Sequence, residues 1–401
     1  MAVQPSEQSI GTRAEGDPRI NVVHVGKFYP PHVGGMESHL ETLCRELRKT
    51  MNVRALVAND ARRDEDSIVD GVRVSRLATH FNLAGAPVCA TMPWKVRGAA
   101  ADIVHVHVPN PTGVLAVMAS GYKGKIVVTW HSDVVRQRRL AQIFAPIQRR
   151  FLSRCSAIIA TSPNYLETSP DLASFRSRCH VIPFGIDFDH FRRVDEHAVK
   201  AIHDRYPGPL LLAVGRMVYY KGFEFLIRAM KQIDAKLLLI GDGPLRASLE
   251  REARAAGVAD RVVFLGIQPD VTPYYHACDA FVISSVTRSE AFGIVQLEAM
   301  ACGKPVVNTD INSGVPFVSL DGITGITVAP GDVDALRHSI NLLLADANLR
   351  ARYGTAARKR VETEFSRGAM LRRTRDLYDS VLAGGGLHER AGHRQGVAAA
   401  T

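Results

Sequence analysis

The sequence predicts an α/β fold in two doubly wound halves, and three observations predict it. Apolar runs such as Ile20-Asn21-Val22-Val23-His24-Val25-Gly26 are continuous rather than alternating, the mark of strands buried on both faces of a parallel sheet. Segments of helical periodicity sit between many of these runs. After a mixed, polar stretch over 188–206 the alternation starts again, and 401 residues are too many for one ordinary domain. The expected division is a disordered tail over 1–18, a first domain over 19–187, a second over 188–365, a crossover helix over 366–383 and a disordered tail over 384–401.

Taking the elements in order, the strand over 20–26 runs into a loop with Gly34-Gly35, then a helix with Met36, Leu40, Leu43, Cys44 and Leu47 in phase. Strand, glycine loop and helix form the first unit of a doubly wound domain. The glycine pair permits close backbone approach to a phosphate or an acceptor. It is not a GxGxxG fingerprint, so no nicotinamide cofactor follows. Further strands are expected over 53–58, 72–77, 103–108, 126–130 and 157–160. His105 and His107 share one strand face, and with no carboxylate at matching spacing they read as packed or hydrogen-bonded rather than metal-binding. His131 differs, because it follows a strand at its carboxyl end, where open α/β sheets bind ligands. In the second half, strands are expected over 210–215, 236–240, 262–265, 280–284, 305–308 and 325–328, with helices over 223–232, 336–344, 353–365 and 370–382. Residues 188–206 read as an inter-domain connection.

At 46% hydrophobic and 22% charged residues the chain can bury sizeable cores. No apolar run reaches the roughly 18 residues that span a bilayer, and the first residues lack the apolar centre of a secretory signal. Six scattered cysteines without a CxxC pair argue against disulfides and zinc and suit a reducing cytosol. The net charge of +10 is uneven: residues 1–185 carry 23 Lys+Arg against 15 Asp+Glu, and the remainder 27 against 25. A basic first half suggests an anionic partner. Arg136, Arg138, Arg139, Arg149 and Arg150, interleaved with Leu140, Ile143, Phe144, Ile147 and Phe151, predict a basic amphipathic helix that suits an anionic membrane surface. No helix-turn-helix, zinc or RNA-binding pattern supports nucleic acid as that partner.

The stretch 289–303 carries the densest chemistry. It follows a strand and turns helical at about Gly293, so Glu290 lies in the loop and Glu298 about two turns into the helix. Free amides of Phe292, Gly293 and Ile294 at a positive dipole end make an anion site. A nucleotide diphospho-sugar fits it, with phosphates on the amides, sugar at Glu290 and ribose at Glu298. Arg216 follows the strand over 210–215 and Lys221 closes the next loop. Strand-end placement brings both to the sheet edge of Glu290, and two cations there stabilise charge that grows on a departing diphosphate.

Together, Gly215-Arg216 through Lys221-Gly222, Ile240-Gly241-Asp242-Gly243-Pro244 and the Glu290-x7-Glu298 stretch resemble the large family 4 of retaining glycosyltransferases. Pro183-Phe184-Gly185-Ile186-Asp187 matches the family's Pro-x-Gly-x-Asp turn, and Gly34-Gly35-Met36-Glu37 its first glycine loop. The resemblance covers about 20–382 and implies the GT-B architecture, two Rossmann-like domains facing each other across a cleft. It implies that Arg216 and Lys221 bind the donor diphosphate and that Glu290 holds hydroxyls of the donor sugar. The amides of Phe292 and Gly293 would contact sugar and phosphates, Glu298 the ribose diol, and Gly34, Gly35 and Gly241 the donor. His131 would reach the sugar from the opposite domain.

The resemblance further implies a nucleotide diphosphate sugar as donor and no essential metal. It leans toward bacterial surface polysaccharide enzymes, with a glycan or polyprenyl-diphosphate-linked acceptor. The expected reaction is retaining transfer of a hexose, first mannose from GDP-mannose and next a sugar from a UDP donor, in the cytoplasm or peripherally on the inner membrane face. No carboxylate stands as an obvious nucleophile, which fits a front-face path. Two alternatives use the same scaffold: a nucleotide-sugar epimerase and a non-catalytic nucleotide-sugar sensor.

Overall fold

The computed structural model describes residues 19–32, 34–83, 85–133 and 138–384. The tails expected over 1–18 and beyond 384, and the part of the basic helix over 134–137, lie outside them, as do the side chains of 138–141.

Two sheets organise the molecule. The first contains β1 (Asn21–Val25), β2 (Asn52–Ala58), β3 (Glu65–Val69), β4 (Val72–Leu77), β7 (Ile103–Val108), β8 (Lys125–Trp130), β9 (Ala157–Ala160) and β10 (Cys179–Val181). Between β4 and β7 a small antiparallel hairpin forms from β5 (Phe81–Leu83) and β6 (Ala86–Val88). The spatial order is β10-β9-β8-β7-β1-β2-β4-β3, parallel throughout except for β3 at the edge. The second sheet holds β11 (Leu210–Val214), β12 (Lys236–Ile240), β13 (Val262–Gly266), β14 (Ala280–Val282), β15 (Val306–Thr309) and β16 (Gly325–Val328). Its order is β13-β12-β11-β14-β15-β16, all parallel.

Each sheet reverses its winding once, between β1 and β7 in the first and between β11 and β14 in the second. Ligands of doubly wound sheets bind at the carboxyl ends of strands at such a reversal. The loops after β1, β8, β11 and β14 carry Gly34, His131, Lys221 and Glu290.

Residues 188–206 are no free connection. They form helices Phe188–Arg192 and Glu196–Arg205, and Phe188, Ile202 and Tyr206 enter the core under the second sheet with Tyr275, Phe281 and Leu297. Apolar positions are few in so polar a stretch, and Phe191 and Val199 also pack on that core. The chain crosses between halves twice, side by side. Ile186 pairs with Ser366, its amide donates to Phe365 O at 3.0 Å, and Arg367 N donates back to Ile186 O at 2.9 Å. A Cβ on Gly185 would come within 2.6 Å of Ser366 O, so only glycine lets the two crossings touch. Beyond the second crossing, helix Arg367–Leu382 returns to the first half. Its Met370, Leu377, Tyr378 and Val381 pack among Val22, Leu43, Ile103 and Ile159.

Candidate active site

The second half's part of the candidate site is built from two loops that hold each other. After β11 the chain passes Gly215 at φ 154° and Arg216, then reaches a short turn Tyr219–Lys221. Gly222 follows at φ 61°, where its missing side chain leaves space for the Ser284 carbonyl. Ser284 Oγ donates to Lys221 O at 3.0 Å and Val286 N to Tyr220 O at 2.9 Å, which ties this turn to the loop after β14. Lys221 is buried and lies over Gly215, whose Cβ would sit 2.9 Å from Lys221 Cε. Its Nζ reaches Glu290 Oε2 at 2.5 Å, and Ser285 Oγ donates to the same oxygen at 3.1 Å.

Helix Ile294–Ala301 starts four residues beyond Glu290, with Gly293 at φ 72° as its N-cap. The start is buttressed from behind: Gln296 Nε2 donates to Phe292 O at 2.9 Å and to Val315 O at 3.2 Å. Glu298 lies partly covered on this helix and accepts from Tyr275 OH at 2.6 Å. Surrounding protein strips water from its carboxyl and pushes the pKa up to about 7, while the Tyr275 hydroxyl and the Lys221 charge pull the other way. Arg216 stands exposed at the end of β11. It meets no carboxylate in an ion pair among the described residues, and its positive charge bears on the Tyr220 hydroxyl.

Gly241 is a structural neighbour of this loop. At φ 126° it lies against the backbone of Gly215, whose carbonyl oxygen occupies the place a Cβ would take. Gly34 caps helix Gly35–Leu47 in extended conformation, φ −179°. A Cβ on Gly35 would lie 3.9 Å from Ile294 Cδ1, so the first glycine loop and the start of helix Ile294–Ala301 face each other across the cleft.

His131 is buried, its amide bound to Val108 O at 2.9 Å. Its ring stacks on Phe184 at 5.5 Å between centroids, and Phe184 meets Phe292 edge-on at 5.0 Å. Phe184 thus links His131 of the first half to Phe292, which lies just before helix Ile294–Ala301. Burial lowers the His131 pKa to about 3, which keeps the ring neutral near pH 7.

The model for group 1 glycosyl transferases matches residues 197–360, and that for glycosyltransferase family 4 matches 33–190. O-antigen chain mannosyltransferase C of Escherichia coli is 31% identical over 369 residues, covering 90% of this chain and 99% of that protein. The chain belongs to glycosyltransferase family 4. The GDP-mannose-dependent alpha-(1-6)-phosphatidylinositol monomannoside mannosyltransferase of Mycolicibacterium smegmatis is 32% identical over 354 residues, 82% of this chain and 91% of that one. Among solved structures, HepE of Anabaena with UDP-glucose superposes at TM-score 0.76 and 19% identity, covering 90% of this chain and 100% of that one. The sucrose-phosphate synthase of Thermosynechococcus elongatus does so at 0.75 and 22%, covering 91% and 100%. Both likenesses show the fold, which is GT-B.

This family 4 transferase has site features that sequence reasoning missed. Arg288, two residues before Glu290, crosses the cleft. Its Nη2 pairs with Asp133 Oδ2 at 2.9 Å, its Nη1 donates to Thr168 O at 2.9 Å, and its guanidinium lies 4.9 Å from the Tyr165 ring centroid. Asp133 is held for this by Trp130 Nε1 at 2.8 Å and Ser169 Oγ at 2.9 Å. Tyr275 and Ser285 were also missed, each a lone hydroxyl residue whose partner is remote in sequence or direction. Around His131 the structure gathers His24, His39, His105 and His107, so the pair read as packed belongs to a larger cluster.

Proposed function

We propose that the enzyme transfers a hexose, mannose from GDP-mannose before any UDP-sugar, to a lipid-linked or polysaccharide acceptor with retention of anomeric configuration. The observation that carries this reading is the Lys221–Glu290 pair at the mouth of the glycine-capped helix Ile294–Ala301. The donor diphosphate would enter against the helix start, Lys221 and Arg216. Lys221 would turn from Glu290 toward the phosphates and take up the charge that grows on the leaving group. Glu290, still held by Ser285, would accept hydrogen bonds from sugar hydroxyls. Glu298 would take the ribose diol, and His131 would meet the sugar from the opposite half. Gly34 and Gly35 would let the diphosphate and acceptor approach the backbone closely. A front-face path needs no second carboxylate: the departing phosphate oxygen takes the acceptor proton. Positive charge supplied by side chains and a helix dipole supports a reaction without an essential metal, so activity is expected to survive EDTA.

For the donor, the support is that the matched relatives include an O-antigen chain mannosyltransferase and a mannosyltransferase named as GDP-mannose-dependent. For an anionic membrane surface, helix Arg138–Arg154 leaves Ile143 and Ile147 exposed beside exposed Arg149 and Arg150. No helix among the described residues is long and apolar enough to cross a membrane.

Thermal-shift measurement against GDP-mannose, UDP-glucose and their nucleotides tests the donor, since a ligand of the folded state raises Tm. GDP-mannose is expected to give the larger shift, and a larger shift with UDP-glucose overturns the mannose reading. Incubating the donor alone separates transfer from epimerisation. Sedimentation with anionic vesicles at low salt tests the surface, and a protein that stays in the supernatant overturns that part.

A further inference from the structure

Three imidazoles form a hydrogen-bonded chain that ends at His131. His24 Nδ1 lies 3.0 Å from His107 Nε2, and His107 Nδ1 lies 3.1 Å from His131 Nε2. His24 comes from β1, His107 from β7 and His131 from the end of β8, three neighbouring strands. His105 stacks beside the chain without joining it, because Tyr378 OH at 2.6 Å and Thr129 Oγ1 at 2.7 Å occupy its two nitrogens. Burial holds His24, His107 and His131 neutral.

A neutral imidazole carries one proton, so each ring donates at one nitrogen and accepts at the other. Two contacts in series then permit only two arrangements. In one, every proton points toward His131: His24 Nδ1–H donates to His107, His107 Nδ1–H donates to His131 Nε2, and His131 keeps its proton on Nδ1. In the other, every proton points inward, His131 Nδ1 is a bare acceptor, and His24 carries its proton on Nε2. His24 Nε2 is buried and has no hydrogen-bond partner among the described residues. The inward arrangement strands an N–H there, whereas the outward one strands only a lone pair. Buried N–H groups without a partner are the rarer defect.

We propose that His24 and His107 are positioning residues that lock His131 in the tautomer protonated on Nδ1, so that the site presents a hydrogen-bond donor to an oxygen of the bound sugar. This rests on reading His131 as a sugar-facing residue. A donor at that place selects a sugar oxygen as acceptor of the bond, leaving the hydroxyl's own proton for another partner. The lock also removes the need to reorganise a tautomer when substrate arrives.

Nitrogen NMR of the full-length protein labelled with ¹⁵N-histidine reads the tautomer directly, with His131 assigned by comparison with His131→Gln. A pyrrole-type Nδ1 and pyridine-type Nε2 at His131 are expected in the free enzyme, and the reverse pattern overturns the proposal. In His24→Leu the His131 signals should move toward a mixture of tautomers, with kcat/KM falling roughly threefold to tenfold, the worth of one hydrogen bond. His24→Asn, whose amide places N–H near the lost Nδ1, should recover most of that loss, and failure to recover it counts against the lock. The nitrogens of His39, His107 and His131 also lie within 4.8 Å of one another, so the spectra are repeated with EDTA. Unchanged spectra are expected, and a change would make the cluster a metal site and overturn the chain. A fully active His131→Ala would refute the sugar-facing role alone, while the free-enzyme tautomer would still decide the lock.

Discussion

Lys221 and Glu290 hold each other at 2.5 Å before any donor arrives, in a pocket where both are largely covered. A lysine already covered and held loses little side-chain freedom when, in the proposed reaction, its ammonium turns from Glu290 toward the donor diphosphate. Lys221→Ala should lower kcat by about 10²–10³-fold, the usual cost of one transition-state donor. Steady-state kinetics within about twofold of wild type would remove its assigned role. Glu298 makes a different prediction. Its ionised form accepts from the two hydroxyls of a diol with both oxygens and more strongly than the acid does, and that form dominates above a pKa of about 7. Donor affinity should therefore rise as pH increases from 6 to 8, while the diphosphate diester stays ionised throughout. Removing the Tyr275 hydroxyl takes away a group that lowers this pKa, so Tyr275→Phe should move the rise to higher pH. Glu298→Gln should flatten it. Calorimetric Kd values across that range check all three, and a flat wild-type profile would contradict the assignment.

At the scale of the element, glycines separate scaffold from site. Gly241 at φ 126° packs against the Gly215 carbonyl and carries β12 past the loop that holds Lys221. Alanine there meets main chain rather than a movable side chain. Gly241→Ala should cost about 2–5 kcal/mol by combined strain and overpacking, visible as a lower urea midpoint. Unchanged stability would show that the loop can yield. The apolar strands were legible in the sequence because strands buried on both faces must be apolar throughout, as in Val22-Val23 and Leu237-Leu238-Leu239. The edge strand β3 was not, since Glu65-Asp66-Ser67 is polar and pairs on one side only. Helices Phe188–Arg192 and Glu196–Arg205 are hidden in the sequence because their few apolar residues, such as Phe188, Val199 and Ile202, sit in a mixed, polar stretch. Lys221 and Glu290 could be brought together from sequence, as both follow strands and strand ends share an edge. The histidine cluster could not, because His24, His107 and His131 meet only through the lateral order of β1, β7 and β8.

At the scale of the molecule, the described residues join the two halves at a double crossing, through the Phe184 and Phe292 rings, and by a charged contact across the cleft. Arg288 lies two residues from Glu290 yet is ion-paired with Asp133 and hydrogen-bonded to Thr168 of the other half, so the proposed sugar-holding carboxylate and the contact between the halves share one short loop. If the contact favours the approached arrangement by about 1.4 kcal/mol, its loss shifts the ratio of the two arrangements tenfold. Arg288→Ala should then lower kcat/KM about tenfold and raise the radius of gyration seen by small-angle scattering with donor bound. Arg288→Lys should not rescue it. An ammonium is a point charge that lacks the planar fork serving Asp133 and Thr168 together while lying near Tyr165. Asp133→Asn should reproduce the effect from the other side, and in the double variant the two losses should not add, because both break one contact. Additive losses, or a scattering profile that does not change, would mean that Arg288 acts within its own loop and that the crossing strands alone set how the halves meet.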